Sequence, residues 1–364
     1  MQNIYAYRLC QKANRALSEG LIREKYSPDL NSMEVQDTEA LKENQALALN
    51  AFESKFNGVS SPDIDKDMKG TISDAYKMYE KANKDDFRRI KLQMVKEVEG
   101  ILDKYHMVLA LVLEFAFKSK IDAEKKKDQS RGFSENFYNN RVILQMGKLK
   151  LSKNASWENQ DSLIKSFYKG FVRKNENFVA YQQQKETTYE EDKKIVEYLI
   201  KSIIFKAEPI QAYFEEIDLS WEENKDIVKS LARKTIKNVT EEEIELLDLS
   251  YSWDEDKEFF VDLYEKTGKQ DEDYEELISA RSHNWDIERV ASMDKIILKL
   301  AISEMINFPS IPVKVSINEY IEIAKQYSTP KSRNFINGIL DVLAEDLKKD
   351  GKIRKSGRGL IDNK

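Results

Sequence analysis

Cysteine, histidine, glycine and proline are all scarce in this chain. Its 364 residues include one cysteine, two histidines, 12 glycines and 6 prolines. A single cysteine, Cys10, excludes an internal disulfide and is typical of a reducing compartment. Few glycines and prolines, together with 34% charged residues, disfavour turn-rich sheet folds. The composition therefore predicts an all-α protein.

Long apolar runs are also missing. None approaches the roughly 20 residues that span a bilayer, so we expect no membrane contact. Arg8, Lys12 and Arg15 interrupt the beginning of the chain, which excludes the apolar core of a signal peptide. These features predict a cytoplasmic protein.

The sequence contains no recognisable catalytic or metal-binding motif. His106 and His283 have no histidine partner one helical turn away and no cysteine pair beside them, so a zinc site is not expected. Gly357 and Gly359 lie in a basic tail and follow no strand, unlike the glycines of a nucleotide-binding loop. We predict no catalytic residue, no metal and no cofactor.

Charge is distributed unevenly along the chain. The net charge of −6 argues against broad nucleic-acid binding. Acidic residues dominate positions 241–276, whereas positions 348–364 carry seven lysines and arginines against two aspartates. A solvated acidic face and a disordered tail would explain both runs. Any contact with RNA phosphates would therefore be local and sensitive to salt.

Apolar spacing and start signals place the helices. Residues 98–116 repeat apolar positions at i, i+3, i+4 and i+7, within a helical pattern that extends over 73–127. A weaker helical stretch covers 38–52. The pattern Ser/Thr-x-x-Glu, in which the hydroxyl and the glutamate cap the first backbone amides, recurs at Thr188, Ser220, Thr240, Ser252 and Ser316.

Aromatic residues recur every 32 positions, each followed by an acid. A helical repeat array would explain this spacing, as would an aromatic residue followed by an acid in the first turn of each helix. The second interpretation is favoured, because the rest of each window does not repeat. The aromatic positions are Trp157, Tyr189, Trp221, Trp253 and Trp285.

Three consecutive segments near the C-terminus carry the most specific pattern. They read KLAISE at 299–304, INEYIEIAK at 317–325 and SRNFINGILD at 332–341. In order and spacing they resemble the C-terminal half of the NusB family of bacterial transcription antitermination factors. The resemblance implies a compact helical bundle, with a first helix extending from Trp285.

The beginning of the chain resembles the middle of the first NusB helix, where a glutamine precedes an Ile/Leu-Tyr-Ala sequence. Family members carry an arginine-rich, RNA-binding turn just before this point. Here that turn is absent, through either a start codon placed too far downstream or a real loss. Residues 18–85 resemble an insertion, because family members connect their first two helices by a much shorter segment.

We therefore expect four regions. Residues 1–155 would form an N-terminal helical region, 156–239 a middle helical region and 240–347 the NusB-like domain, followed by the basic tail at 348–364.

The resemblance also implies where ligands bind. The first turns of the last helix would face boxA RNA through Lys331, Ser332, Arg333, Asn334 and Phe335. Helix N-termini attract phosphate, and an aromatic ring can stack on an unpaired base. Phe335 could equally belong to the core. Glu304 matches an acid that helps bind NusE, a ribosomal protein that also acts in transcription, although it could be an ordinary surface glutamate.

Asn337 and Gly338 occupy the interior of that helix, where glycine costs about 1 kcal/mol relative to alanine. We expect Gly338 to permit close approach of a neighbouring helix, and Asn337 to bond to a nearby loop or helix end.

The function implied is antitermination. The protein would bind boxA-like RNA together with NusE and join elongating RNA polymerase on ribosomal RNA operons. An adaptor that kept the scaffold but lost RNA binding is the main alternative. An RNA-modifying enzyme with a NusB-like domain is a second, disfavoured by the missing cofactor loop. The sequence does not determine the oligomeric state or the exact RNA.

Overall fold

The computed structural model describes residues 1–33, 35–57, 64–127, 135–281 and 291–363. Within these ranges the structure has α-helices and no β-strand, which confirms the all-α prediction. The helices are α1 (Gln2–Lys25), α2 (Thr38–Phe56), α3 (Lys66–Lys127), α4 (Arg141–Met146), α5 (Asp161–Phe167), α6 (Glu176–Gln182), α7 (Tyr189–Tyr198), α8 (Glu208–Ile217), α9 (Trp221–Asn238), α10 (Trp253–Lys269), α11 (Asp271–Arg281), α12 (Ser292–Asn307), α13 (Val313–Tyr327) and α14 (Pro330–Lys349).

The helices form two compact units. A terminal unit contains Met1–Val95 and Lys257–Lys364, and a central unit contains Lys96–Asp256. The predicted start of the Trp285 helix, like His283, lies outside the described residues.

The central unit is built around the second half of α3. Residues predicted to form its apolar face are buried there, among them Ile101, Val108 and Val112. Buried aromatic residues of this core also form hydrogen bonds. The Trp157 indole, for example, donates to the carbonyl oxygen of Met107 over 2.8 Å. Two π-helical turns, which directly follow α5 and α7, complete the unit at Tyr168–Val172 and Leu199–Ile204.

The start signals had mixed outcomes. Thr188 forms the predicted capping box with Glu191 at the start of α7. The residue after Ser220 begins α9, but the Ser220 side chain makes no capping bond. Ser316 lies inside α13, which begins at Val313, so its prediction as a cap was wrong.

Thr240 was predicted to start a helix, and this was also wrong. The Glu243 amide does donate to the Thr240 hydroxyl over 3.2 Å, yet the chain from there to Ser252 is not helical. Leu246, Leu247 and other apolar residues of this segment pack against the central core instead. Burial of those side chains therefore outweighs the local capping signal.

Helix α12 is the centre of the terminal unit. Every residue from Ile296 to Met305 is buried, as expected for a helix enclosed by others on all sides. Helices α1, α11, α13 and α14 pack against it. A separate small core joins α1, α2 and the start of α3 around Phe52, so parts of the predicted insertion are helical.

A lysine is buried at the middle of α12. The Lys299 side chain has 0% exposure, and its Nζ lies 2.9 Å from a carboxylate oxygen of Asp271 and 2.7 Å from one of Glu275. Arg8 of α1 pairs with the same two carboxylates, and Lys295 pairs with Glu275. These five residues, the Lys299 cluster, connect α1 to α11 and α12.

Glu275 is the most strongly perturbed carboxyl group in the cluster. Burial tends to raise its pKa, but bonds from Lys299 and Lys295 overcome that tendency and lower the pKa from 4.5 to about 2. Because the folded-state pKa is depressed, the stabilisation is present above about pH 4.5 and is lost as the pH falls towards 2.

Neutralising both carboxylates should expose the cost of burying Lys299. The double variant D271N/E275Q leaves the ammonium without a counter-charge, which should lower the free energy of unfolding by about 3–5 kcal/mol. Adding K299M removes the stranded charge and should restore most of the loss. Urea denaturation at pH 7, followed by circular dichroism, measures both effects. No recovery in the triple variant would contradict this account.

Candidate nucleic-acid interface

The first turn of α14 is closed by its own cap. The Ser332 amide donates to the Thr329 hydroxyl over 3.2 Å, and the Arg333 amide donates to the Thr329 carbonyl oxygen over 2.9 Å. Pro330 at the first helical position has no N–H to offer. Attraction for phosphate at this turn must therefore come mainly from the side chains and the helix dipole.

Those side chains are accessible. Lys331 and Asn334 are exposed, whereas Ser332 and Arg333 are half-buried. The turn before α14 is anchored to α12, because the Ser328 hydroxyl donates to the buried carboxylate of Asp294 on that helix. The exposed side chains of Lys331 and Asn334 and the half-buried side chain of Arg333 thus lie at a helix start that a buried bond anchors to α12.

Phe335 lies below this surface. It is 5% exposed and belongs to the core that contains Ile336, Ile339 and Leu340. Its ring could stack on a base only after leaving the core, so the interface has no accessible aromatic platform at this position. Helical spacing of apolar residues is the signal that indicated a core role in the sequence.

Glu304 is not a surface residue. It is 6% exposed and accepts a hydrogen bond of 2.9 Å from the Tyr320 hydroxyl. Burial raises the pKa of Glu304, although bonds from Ser316 and Tyr320 oppose the rise. In this structure the carboxylate connects α12 to α13, and a protein partner would reach it only after local rearrangement.

Asn337 and Gly338 do not pack as predicted. Both are exposed, and a side chain at Gly338 would meet nothing within 4 Å. The Asn337 amide reaches only Asp341 on the same helix, over 3.4 Å. Both packing predictions were therefore wrong, because these positions fall on the outer face of α14.

Helix α1 presents an apolar surface that the sequence analysis did not single out. Tyr5 and Leu9 lie one helical turn apart and are 37% and 48% exposed, and Leu17 further along is 62% exposed. The opposite face of α1 is buried at Ile4 and held by Arg8 in the Lys299 cluster. The signal for this stripe was present in the i, i+4 spacing of apolar residues outside the buried face.

Part of the chain matches a known protein family. Residues 211–345 match the model of the NusB family. The C-terminal part of the chain belongs to the NusB family. Within the terminal unit, the matched helices of this NusB domain include α12, α13 and most of α14.

Curated relatives are similar over a short segment. The transcription antitermination protein NusB of Salinibacter ruber is 48% identical over 75 residues, which is 21% of this chain and 47% of that protein. Its counterpart in Chloroherpeton thalassium is 53% identical over 76 residues, 21% of this chain and 36% of the relative. That of Natranaerobius thermophilus is 52% identical over 63 residues, 17% of this chain and 45% of the relative.

The chain thus spans less than half the length of the NusB relatives it matches. No solved structure matches it significantly. In the part of the chain that the structure describes, acidic, histidine and cysteine side chains form no group able to hold a metal ion. None of the described helices combines the length and hydropathy required to cross a membrane.

Two glycines should respond oppositely to alanine. Gly338 lies in open space within a helix, so G338A should raise the free energy of unfolding by about 0.5–1 kcal/mol. Gly359 should not tolerate the change, because a Cβ there would lie 2.0 Å from the Pro309 carbonyl oxygen. Thermal unfolding of the two variants tests the pair. A destabilised G338A protein would contradict the open position of that residue.

Proposed function

We propose that this protein is a transcription antitermination factor that acts by binding and carries out no catalysis. Its NusB domain would hold a boxA-like single-stranded RNA together with the ribosomal protein NusE. The complex would join elongating RNA polymerase and suppress termination in ribosomal RNA operons. The main support is the NusB domain itself, which contains segments 48% identical over 75 residues and 53% identical over 76 residues to two antitermination proteins.

RNA contact is assigned to the start of α14. Lys331 and Arg333 would pair with phosphates, which fix the position of the strand. Ser332 and the exposed amide of Asn334 can bond to phosphates or base edges. Phe335 supports this turn from the core, and its predicted base contact would require the ring to move outward. RNA affinity at this site would thus be mainly electrostatic.

NusE contact is assigned to the terminal unit. Glu304 was predicted from the family resemblance, but its carboxylate already bonds Tyr320. The stripe formed by Tyr5, Leu9 and Leu17 is the accessible alternative, because large apolar side chains on a held helix suit a protein partner. Glu304 would then support the site by fixing α12 against α13.

An adaptor without RNA binding is the second candidate function. The burial of Phe335 and the net charge of −6 favour it. On that account the apolar stripe of α1 would retain a protein partner, while the start of α14 would serve only as a helix cap.

RNA titration separates these two functions. Replacing both cations in K331A/R333A should lower the salt dependence of boxA RNA binding, with the log–log slope falling by about 1.4 for two lost contacts to a single strand. Filter binding over a series of KCl concentrations measures that slope. The matched control K25A/K42A removes two exposed lysines elsewhere in the terminal unit and should leave the slope unchanged. An unaltered slope in K331A/R333A would remove this site, and no RNA binding by the wild type would favour the adaptor.

Partner binding is tested on the α1 stripe. Y5A/L9A should weaken the affinity for purified NusE by about tenfold or more, since truncating buried anchors of an interface commonly costs over 1 kcal/mol each. Isothermal titration calorimetry measures the effect. L92A truncates another exposed leucine of the terminal unit and should bind like wild type. Equal affinities for Y5A/L9A and L92A would exclude the stripe.

A further inference from the structure

The basic tail after α14 is folded. Gly351 adopts a left-handed conformation with φ of 68°, and its amide donates to the Lys348 carbonyl oxygen over 3.1 Å. The chain then turns back, buries Ile353 in the core of the terminal unit and forms a 3-10 helix at Gly357–Asn363. The described residues of the tail are therefore folded, and the interpretation of the tail as disordered was wrong for them.

Three contacts fasten the tail to the connection between α12 and α13. The Ser356 amide donates to the Pro309 carbonyl oxygen over 2.9 Å, and the Lys355 ammonium donates to the Phe308 carbonyl oxygen over 2.9 Å. Gly359 lies so close to Pro309 that no side chain would fit between them. The tail is therefore seated on a defined surface at the start of α13.

Cationic side chains dominate this folded segment. Between positions 348 and 363 the acids are Asp350 and Asp362, against six cations, namely Lys348, Lys349, Lys352, Arg354, Lys355 and Arg358.

Some of these charges have a structural explanation. Lys348 and Lys349 lie in the last turn of α14, where they complement the negative end of the helix dipole. Lys355 bonds the Phe308 carbonyl group. Lys352, Arg354 and Arg358 remain, and all three are exposed. The Arg354 Nε donates to the Gly351 carbonyl oxygen over 3.1 Å, which leaves its charge facing solvent. No ion pair joins these three side chains to a carboxylate among the residues that the structure describes. We call these three residues the tail cations.

Three exposed cations in one folded segment repel one another, although Lys352 lines the same cavity as Asp273 and Glu276 of α11. The N-terminus of α13, next to Pro309, adds a partial positive charge to the same region. An anionic ligand would relieve this repulsion. In a protein with a net charge of −6, such a concentration of positive charge is a local exception.

We propose that the tail cations form a second phosphate-contact surface for single-stranded RNA. This inference rests on the proposed function, because it extends the path of an RNA held at the start of α14. The tail follows the far end of that 20-residue helix, about 30 Å from Lys331 at 1.5 Å per residue. Asp341 and Glu345 occupy the exposed face between them, so phosphate contacts fall at the two ends of α14.

The surface lies outside the family match, which ends at residue 345. It would therefore add affinity for the RNA backbone without base choice, since phosphate contacts carry no sequence information. RNA flanking the boxA-like segment is the ligand it would take.

Charge removal provides the first test. The variant K352A/R354A/R358A of the full chain should lower the slope of log affinity against log salt by about 2, at roughly 0.7 per phosphate contact. The probes are a long single-stranded RNA that contains a boxA-like segment, and poly(U). The charge-preserving variant K352R/R354K/R358K should bind like wild type. The control K25A/K42A/K69A removes three exposed lysines elsewhere in the terminal unit and should keep the wild-type slope.

The second test asks whether folding of the tail matters. G359A keeps every charge but places a Cβ against Pro309. The tail should therefore lose its contacts with the connection between α12 and α13, and RNA affinity should fall. Circular dichroism measures whether G359A keeps its helices. If G359A unfolds, the charge variants test the proposal independently.

Several outcomes would overturn the proposal. These are an unchanged slope in K352A/R354A/R358A, an equal loss in K25A/K42A/K69A, or unchanged affinity in a folded G359A protein. Failure of the proposed function remains distinguishable, because it would abolish boxA preference and the effect of K331A/R333A while leaving tail-dependent poly(U) binding intact.

Discussion

The buried ammonium of Lys299 constrains the terminal unit more than any other single group. A charge at the centre of α12 is tolerable only where counter-charges reach it. Asp271 and Glu275 on α11 supply them, and both carboxylates also bind Arg8 of α1. Helices distant in sequence must therefore meet at one point. An apolar residue at position 299 would pack without specifying which helices surround α12.

That constraint determines which face of α1 reaches solvent. Arg8 points towards α11, and Ile4 lies in the core. The 3.6-residue helical period then places Tyr5 and Leu9 on the outside. The apolar stripe is thus a consequence of the Lys299 cluster, and its orientation depends on α11. Acidic residues of α11, which in the sequence indicated a solvated face, include two that bond buried and half-buried cations.

The sequence predicted the helical fold and the family domain because both depend on local, repeated patterns. Apolar spacing located the central part of α3, and three short motifs located the NusB domain. The outcome was less predictable where tertiary packing competes with a local sequence signal. Thr240 carries a valid cap signal, yet the apolar residues after it pack, partly buried, against the central core in a non-helical segment. Gly338 suggested close packing, but only tertiary structure reveals that its face of α14 is open.

The candidate site illustrates the same limit. Sequence located the cations at the start of α14, but it could not decide whether Phe335 faced RNA or the core. Burial of that ring would shift the basis of the proposed RNA recognition from stacking towards charge. Charge acts over about 8–10 Å at physiological salt, and it does not require one rigid base geometry. If recognition depends on charge, a folded cationic tail at the opposite end of the same helix would add a second contact to the RNA backbone. Two phosphate contacts, one at each end of α14, would restrict the path of a bound strand, which neither contact could achieve alone.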